Sequence, residues 1–210
     1  MLVWINGPFG GGRTQSAYEI RRRLPGSVVR DPEHVGFGLH RVLPPALSAD
    51  FQDLPAWRRS IQEMLDLALT EYEGTVIVPM TVIEPVHFRE ILGRLRERGH
   101  DVRHFALLAD RETVLRRPGE RGFGRGVRFI AGKGAPLRRE RFAVSKLDHC
   151  LERLRGQEFA EQVWTDRLTV PQVADRLAAS AGLTLTPDTD HALRGRLRRT
   201  VIGVRHIRFD

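Results

Sequence analysis

An α/β fold, with a parallel sheet covered by helices on both faces, is the architecture that this sequence predicts. Short apolar runs rich in Val and Ile alternate with longer segments in which apolar residues recur at intervals of three and four. The length of 210 residues suits one such domain with a small insertion, and a hydrophobic content of 41% supplies its core. We therefore expect a single three-layer domain over residues 1–210.

The first half of the chain contains three predicted strands. Leu2–Ile5 is an apolar run that ends at Asn6-Gly7, and 75–80, with the sequence TVIVPM, has the β-branched composition of a buried strand. The segment 55–72 has the apolar spacing of an amphipathic helix. In chain order, the predictions are strand 2–5, helix 14–24, strand 27–30, a mixed region with Gly36, Gly38, Pro44 and Pro45, helix 55–72 and strand 75–80.

The second half continues the same alternation of strands and helices. Asp110 is placed to cap a helix, with Glu112 in its first turn, and Gly99 ends the helix before it. In chain order, the predictions are helix 85–98, strand 102–109, a helix starting over 110–116, a helix near 140–154, strand 163–165 and helix 170–181.

A glycine-rich loop follows the first strand. The sequence GPFGGGRT over Gly7–Thr14 has the spacing of a phosphate-binding loop, G-x-x-x-x-G-basic-S/T. Glycines allow backbone N–H groups to point at phosphate oxygens, and the following helix directs its positive end at them. An ordinary glycine-rich turn is the alternative. The loop predicts ATP and Mg²⁺ as cofactors, with the Thr14 hydroxyl on the metal and a nucleotide site formed by Gly7, Pro8, Phe9, Gly10, Gly11, Gly12, Arg13, Thr14 and Gln15.

Arg13 stands where this loop pattern has a lysine. Arginine keeps the charge and binds phosphate in a bidentate manner, but its guanidinium is longer and planar. We therefore expect nucleotide binding to survive with altered affinity and the geometry of phosphoryl transfer to suffer. All but two of the 34 basic residues are arginines, the exceptions being Lys133 and Lys146, so a general preference for arginine is a neutral explanation.

Two carboxylates, those of Asp31 and Glu33, follow the second predicted strand. They are expected at the same edge of the sheet as the glycine-rich loop. Asp31 is predicted to take a proton from an acceptor hydroxyl or to orient Mg²⁺ through water. The alternative is that Asp31 or Glu33 caps the next helix. Aromatic residues 37, 51 and 57 either belong to the core or line an acceptor pocket. The predicted substrate-binding residues are Asp31, Glu33, Phe37, Trp57 and Thr81.

An Arg- and Gly-rich insertion at about 118–139 is predicted to form a lid. Glycine supplies mobility and arginine supplies cations for the charge that develops on a transferred phosphoryl group. The predicted catalytic set is Asp31, Arg13, Arg117 and Arg121. A solvated loop and an RG-type nucleic-acid segment are the alternatives. We expect no nucleic-acid partner, because the arginines behind the net charge of +8 are scattered and RGFGRG is short.

Cysteine and hydropathy patterns bear on the location of the chain. Cys150 is the single cysteine, which excludes an internal disulfide and fits a reducing cytoplasm. There is no apolar run of membrane-spanning length and no signal-peptide pattern. The tail at about 188–210 is basic and amphipathic, with Leu193, Leu197 and Val201 at intervals of four. This tail either packs on the domain or contacts a membrane surface peripherally.

Five segments together resemble the tunicamycin resistance proteins, in order and over nearly the whole chain: VWINGPFGGGRTQSAYEI, DPEHVGFGLH, DFQDLPAWR, VIVPMTVIEPVHFREILGRLRERGHDVRHFAL and WTDRLTVPQVADRLA. These are ATP-binding P-loop proteins related to small nucleotide and nucleoside kinases. The resemblance implies a kinase-like parallel sheet of order 2-3-1-4-5 with an arginine lid.

The same resemblance implies a function. The chain would phosphorylate or sequester tunicamycin or a similar nucleoside antibiotic; a small-molecule or nucleoside kinase with another acceptor is the alternative. The family's phosphate-loop roles fall on Gly7, Gly10, Gly12 and Thr14. The chain departs from the family at Arg13, where the family has lysine, and in a longer lid.

Overall fold

The computed structural model describes residues 1–44, 46, 50–120, 146–159 and 161–189. These residues form a five-stranded sheet in the order β2-β3-β1-β4-β5, and every adjacent pair of strands is parallel. The predicted α/β class and the strand order 2-3-1-4-5 are confirmed. The strands are β1 Leu2–Asn6, β2 Val28–Val29, β3 Val76–Val78, β4 Val102–Leu108 and β5 Gln162–Trp164.

Helices follow the strands and cover both faces of the sheet. The helix predicted over 85–98 contains a π-helical stretch, Arg89–Gly93, between two α-helical turns. The α-helices are α1 Arg13–Arg23, α2 Glu33–Val42, α3 Pro55–Glu71, α4 Pro85–Phe88, α5 Arg94–Glu97, α6 Arg111–Glu120, α7 Leu147–Arg153 and α8 Val170–Ser180. In the described part of the chain, none of them has the length and apolar character needed to cross a bilayer.

The central strand β1 contributes to two separate apolar cores. Leu2 and Trp4 lie in the core beneath α3, α4, α5 and α7, whereas Val3 and Ile5 lie in the core beneath α1 and α8. Successive side chains of a strand point to opposite faces, so a strand covered on both sides is apolar throughout. This explains why the sequence of β1 has no alternation of apolar and polar residues before Asn6.

The sequence interpretation was wrong over 33–42. The predicted mixed region is helix α2, Glu33–Val42. Two glycines lower its intrinsic helix propensity by about 1 kcal/mol each. Tertiary contacts compensate, because the ring of Phe51 packs directly on Gly36. The Asp31 side chain also accepts a hydrogen bond from the Glu33 backbone N–H at 3.0 Å and so helps to start the helix.

The two glycines of α2 should respond in opposite directions to alanine. A Cβ atom on Gly36 would lie 2.5 Å from Cδ1 of Phe51, whereas a Cβ on Gly38 would meet no heavy atom within 4 Å. We expect Gly36→Ala to lower the free energy of unfolding by about 1–3 kcal/mol through overpacking. Gly38→Ala should raise it by about 0.5–1 kcal/mol through helix propensity. Urea denaturation of both variants measures the difference, and equal effects would contradict the packing argument.

Two predicted segments fall largely outside the described residues. Helix α6 continues to Glu120, so the first three residues of the predicted lid lie in this helix. The remainder of the lid, with Arg121, lies outside the described residues, as does the predicted tail from residue 190 onward. The helix predicted near 140–154 is described from its N-cap Lys146 and comprises Leu147–Arg153.

The last described segment runs along the end of α1 that lies farthest from the glycine-rich loop. The Thr186 N–H donates to the Arg23 carbonyl oxygen at 2.8 Å, and Arg22 pairs with Asp188 at 2.6 Å. Arg23 also pairs with Asp175 of α8 at 2.7 Å. Helix α1 is therefore held at both ends, by the loop before it and by the segment 183–188 after α8.

Candidate functional site

The glycine-rich loop joins β1 to α1 at the carboxyl edge of the central strand. Gly12 has φ of +99°, in the left-handed region that side chains other than glycine rarely adopt. A Cβ atom on Gly11 would lie 2.9 Å from the Pro8 carbonyl oxygen, which accepts the Gly11 N–H at the same distance. The loop therefore has a tight backbone path that these two glycines make possible.

The loop leads into α1 without a side-chain cap. Gly12 occupies the N-cap position and supplies no acceptor, and the first turn of α1 contains no acidic residue. The N–H groups at the start of a helix have no partner within the helix, and they carry the positive end of its dipole. This end of α1 is consequently suited to an anion. Thr14 and Gln15 lie in the same first turn, with the Thr14 side chain half-buried.

Arg13 turns back toward the start of the loop. Its Cγ lies 3.2 Å from the position that a Cβ atom on Gly7 would occupy. Its Nη1 is buried and has no hydrogen-bond partner among the described residues. A buried cationic donor without an acceptor is costly, because it has lost its water without replacing it. A buried guanidinium donor of this kind is suited to an anionic partner.

Cys150 of α7 lies close enough to Arg13 for the guanidinium charge to act on its thiol. The thiol is 7% exposed, and burial raises its pKa to about 11, although the charge of Arg13 opposes this shift. The neutral thiol is therefore the form present at neutral pH.

The thiol should react slowly with a disulfide reagent in the folded protein. Raising the pKa from 9.0 to about 11 lowers the thiolate fraction at pH 8 about 100-fold, and burial slows the reaction further. We expect the rate with 5,5′-dithiobis(2-nitrobenzoic acid) to rise steeply as pH approaches 11. The guanidinium-unfolded protein is the control and should react more than about 100-fold faster at pH 8. Equal rates for folded and unfolded protein would contradict the assigned burial.

Asn6 and Thr81 hold Gly7, the first residue of the loop, at its N–H and its carbonyl oxygen. The Asn6 Oδ1 accepts the Gly7 N–H at 2.9 Å, and the Thr81 hydroxyl donates to the Gly7 carbonyl oxygen at 2.7 Å. Asn6 is completely buried and also bonds both backbone groups of Val82. Thr81 was predicted to bind substrate; the structure places its hydroxyl on the phosphate loop.

Arg117 joins the loop to the end of β5. Its Nη1 donates to the Gly11 carbonyl oxygen at 3.3 Å and to the Thr165 hydroxyl at 3.0 Å, and its Nη2 donates to the Thr165 carbonyl oxygen at 2.6 Å. Of the predicted catalytic arginines, the structure thus brings Arg13 and Arg117 to the loop. The third, Arg121, lies outside the described residues.

Asp31 and Glu33 lie after β2, at the same edge of the sheet as the loop. The hydrogen bond from the Glu33 N–H to Asp31 Oδ1 means that Asp31 caps α2, as the alternative interpretation stated. This bond fixes the orientation of the carboxylate, which stays partly exposed. Capping uses one carboxylate oxygen of Asp31 as a hydrogen-bond acceptor, whereas a catalytic role uses the carboxylate as a base. The catalytic role of Asp31 therefore stays a prediction.

The predicted aromatic residues form one cluster beside this turn. Trp57 is 0% exposed and donates from Nε1 to the Pro32 carbonyl oxygen at 3.3 Å. The Phe51 ring lies 5.1 Å from that of Trp57 and 5.9 Å from that of Phe37, centre to centre. Trp57 therefore belongs to the core and supports the turn at Asp31, whereas Phe37 is half-buried at the margin of the cluster.

Sequence reasoning missed a partly buried ion pair behind this cluster. Arg58 of α3 is buried and donates from Nε to Glu90 Oε2 at 2.5 Å and from Nη1 to the Gln52 carbonyl oxygen at 2.6 Å. The pair holds the pKa of the Glu90 carboxyl below its usual range. Glu90 lies in the π-helical stretch Arg89–Gly93, and no local sequence signal distinguishes this stretch from an α-helix.

Comparison with known proteins places the chain in a family. No protein-family model and no curated protein matches it. The structure of the Deinococcus radiodurans tunicamycin resistance protein does match, with 34% sequence identity and a TM-score of 0.69 over 89% of this chain and 98% of that one. The chain belongs to the tunicamycin resistance protein family. The family resemblance seen in the sequence is thus confirmed.

Solved kinases share the fold of this family member at lower identity. A sugar kinase from Janibacter sp. HTCC2649 has a TM-score of 0.57 at 18% identity, over 87% of this chain and 95% of that one. A shikimate kinase from Bacteroides thetaiotaomicron has a TM-score of 0.53 at 16% identity, over 87% and 99% respectively. These similarities establish the P-loop kinase fold that the sequence predicts.

Proposed function

We propose that the chain binds ATP with Mg²⁺ at the glycine-rich loop and transfers the γ-phosphoryl group to a hydroxyl of tunicamycin or a similar nucleoside antibiotic. The observation that carries this proposal is the buried Arg13 Nη1, which lacks a partner among the described residues beside a loop suited to an anion. Tunicamycin is the proposed ligand because the relative of known structure is a tunicamycin resistance protein.

The residues of the loop fit a nucleotide and its metal. The close approach at Gly11 leaves no room for a side chain, and Gly12 leaves the first turn of α1 without a capping side chain. The Thr14 hydroxyl is the group that would hold Mg²⁺, which neutralises charge on the β- and γ-phosphates when it is bound. Arg13 and Arg117 add positive charge on two sides of the loop.

Asp31 is the proposed base. Its carboxylate is fixed by the Glu33 N–H, at the edge of the sheet where ligands of parallel α/β folds bind. It would take the proton from the acceptor hydroxyl as the acceptor oxygen forms its bond to the γ-phosphorus. The bond from that phosphorus to the bridging oxygen breaks at the same time, and ADP leaves with the electron pair.

Binding without transfer is the second candidate function, and Arg13 is the observation that favours it. A lysine ammonium fits the phosphate cradle as a point charge, whereas a planar guanidinium approaches phosphate from a different direction. In that case the same pocket would retain nucleotide and antibiotic without turnover.

Mass spectrometry separates these candidates. The protein is incubated with ATP and Mg²⁺ together with tunicamycin and a panel of nucleosides, and each product is weighed. Gain of one phosphoryl group by tunicamycin supports the proposed transfer. Gain by another compound of the panel instead identifies that compound as the acceptor. Unmodified tunicamycin that co-elutes with the protein supports sequestration. Neither modification nor retention of any ligand would contradict both candidates.

A further inference from the structure

Gly7, the first residue of the phosphate loop, is held by side chains at both its backbone N–H and its carbonyl oxygen. The Gly7 N–H is accepted by Asn6 Oδ1 at 2.9 Å, and the Gly7 carbonyl oxygen accepts the Thr81 hydroxyl at 2.7 Å. A Cβ atom on Gly7 would also lie 3.1 Å from the Leu107 carbonyl oxygen of β4. Gly7 is thus fixed between the segment after β3 and the strand β4.

The Asn6 side chain links the end of β1 to the segment that follows β3. β1 ends at Asn6. The Asn6 side-chain Nδ2 donates to the Val82 carbonyl oxygen at 2.7 Å, and its Oδ1 accepts the Val82 N–H at 3.1 Å. The Asn6 Nδ2 also lies 3.3 Å from Nε2 of the buried His104. Val82 lies four positions beyond the end of β3, so these bonds tie the end of β1 to the segment that follows β3. The amide therefore extends the connection between the strands to the base of the loop.

The same segment, residues 79–84, contacts the elements on either side of the site. The Trp4 indole N–H donates to the Met80 carbonyl oxygen at 3.1 Å. Glu84 at its end pairs with Arg153 at 3.4 Å and with His149 at 3.7 Å, both on α7. The segment 79–84 therefore contacts β1, the loop and α7 together.

We infer that Thr81 and Asn6 are positioning residues, which fix Gly7 at the start of the phosphate loop so that the loop presents its N–H groups in a preformed arrangement. The inference deepens the proposed function and rests on it for the ligand, a nucleoside triphosphate. Preformed donors gain binding energy because no ordering is needed when the phosphates arrive. Small displacements of such donors lower the rate of phosphoryl transfer far more than they lower the affinity for an acceptor molecule that binds away from the loop.

Thr81→Val tests the inference because valine keeps the shape and loses the hydroxyl. Thr81→Ser retains the hydroxyl and should behave as the natural protein does. Thr70→Val is the matched control, since the Thr70 hydroxyl also donates to a backbone carbonyl, that of Asp66 at 2.9 Å, but at an exposed position of helix α3. We expect Thr81→Val to speed hydrogen exchange of the loop amides about 2- to 10-fold without nucleotide, the effect of one lost hydrogen bond.

A second measurement separates positioning from general stability. In Thr81→Val, the affinity for ATP–Mg²⁺ and the kcat of transfer should each fall about 10-fold, while the KM for the acceptor stays unchanged. Thr81→Ser should restore both. If the loop amides of Thr81→Val exchange hydrogen at the same rates as those of the natural protein, the inference is overturned, even when ATP binding is intact. Faster exchange in a protein that binds no ATP would instead overturn the proposed function and leave the positioning role in place.

Discussion

Replacing Asp31 by asparagine is expected to slow phosphoryl transfer about 100- to 10,000-fold, the usual contribution of a positioned general base. The fold should tolerate this change. Asp31 caps α2 through a bond from the Glu33 N–H, and asparagine is as good an acceptor at such a position as aspartate. Steady-state kinetics with ATP, Mg²⁺ and the acceptor identified by mass spectrometry measures the loss.

Two further variants show whether the loss is chemical. Asp31→Ala removes both the base and the cap, and should additionally lower the free energy of unfolding by about 0.5–2 kcal/mol. Asp50→Asn is the matched control, because Asp50 accepts the Gln52 N–H at 3.1 Å in the same kind of turn. Full activity of Asp31→Asn would rule out the base and leave Asp31 as a cap alone.

Removing the charge of Arg13 should weaken ATP binding about 10- to 100-fold. Hydrogen bonds to a charged group contribute about 1.5–3 kcal/mol, and the buried Nη1 lacks any other acceptor among the described residues. Isothermal titration of Arg13→Ala with ATP–Mg²⁺ measures the change. Arg21→Ala is the control, since Arg21 is exposed on the same helix and stacks on Tyr18.

Arg13→Lys distinguishes charge from shape. Lysine restores the charge and the compact form of the phosphate-loop cation, so this variant should keep ATP affinity within the range of the natural protein and transfer faster. Equal affinity and equal turnover in Arg13→Lys and the natural protein would show that the guanidinium imposes no penalty on transfer. Unchanged affinity in Arg13→Ala would remove Arg13 from the phosphate site altogether.

The glycine-rich loop between β1 and α1 was predictable from the sequence because its determinants are local. Glycine spacing, the apolar strand before Asn6 and the helix from Arg13 onward lie within one stretch of about twenty residues. Helix α2 was missed for the converse reason. Its glycines weaken the local signal, and the contact that compensates comes from Phe51 outside the helix. Aromatic composition could not distinguish core from pocket wall, and only burial places Trp57 in the core.

The links that assemble the site join residues distant in the chain. Asn6 and Val82 are 76 positions apart, and Arg117 and Thr165 are 48 apart. No periodicity connects such pairs, because they meet only after the parallel strands have aligned their carboxyl ends. The strand order was available from the family resemblance rather than from any single segment. The sequence does contain one local indication of the role of Asn6, because it is a polar residue at the end of an otherwise apolar buried strand.

The burial of Cys150 makes the chain suitable for site-specific labelling without removing its natural cysteine. Its thiol is 7% exposed with a pKa of about 11, so a maleimide at neutral pH will select an introduced, solvent-exposed thiol. Phe9 is the natural position for such a thiol, because it is 57% exposed in the phosphate loop. A fluorophore there would report directly on occupancy of the loop, in real time and without a coupled assay.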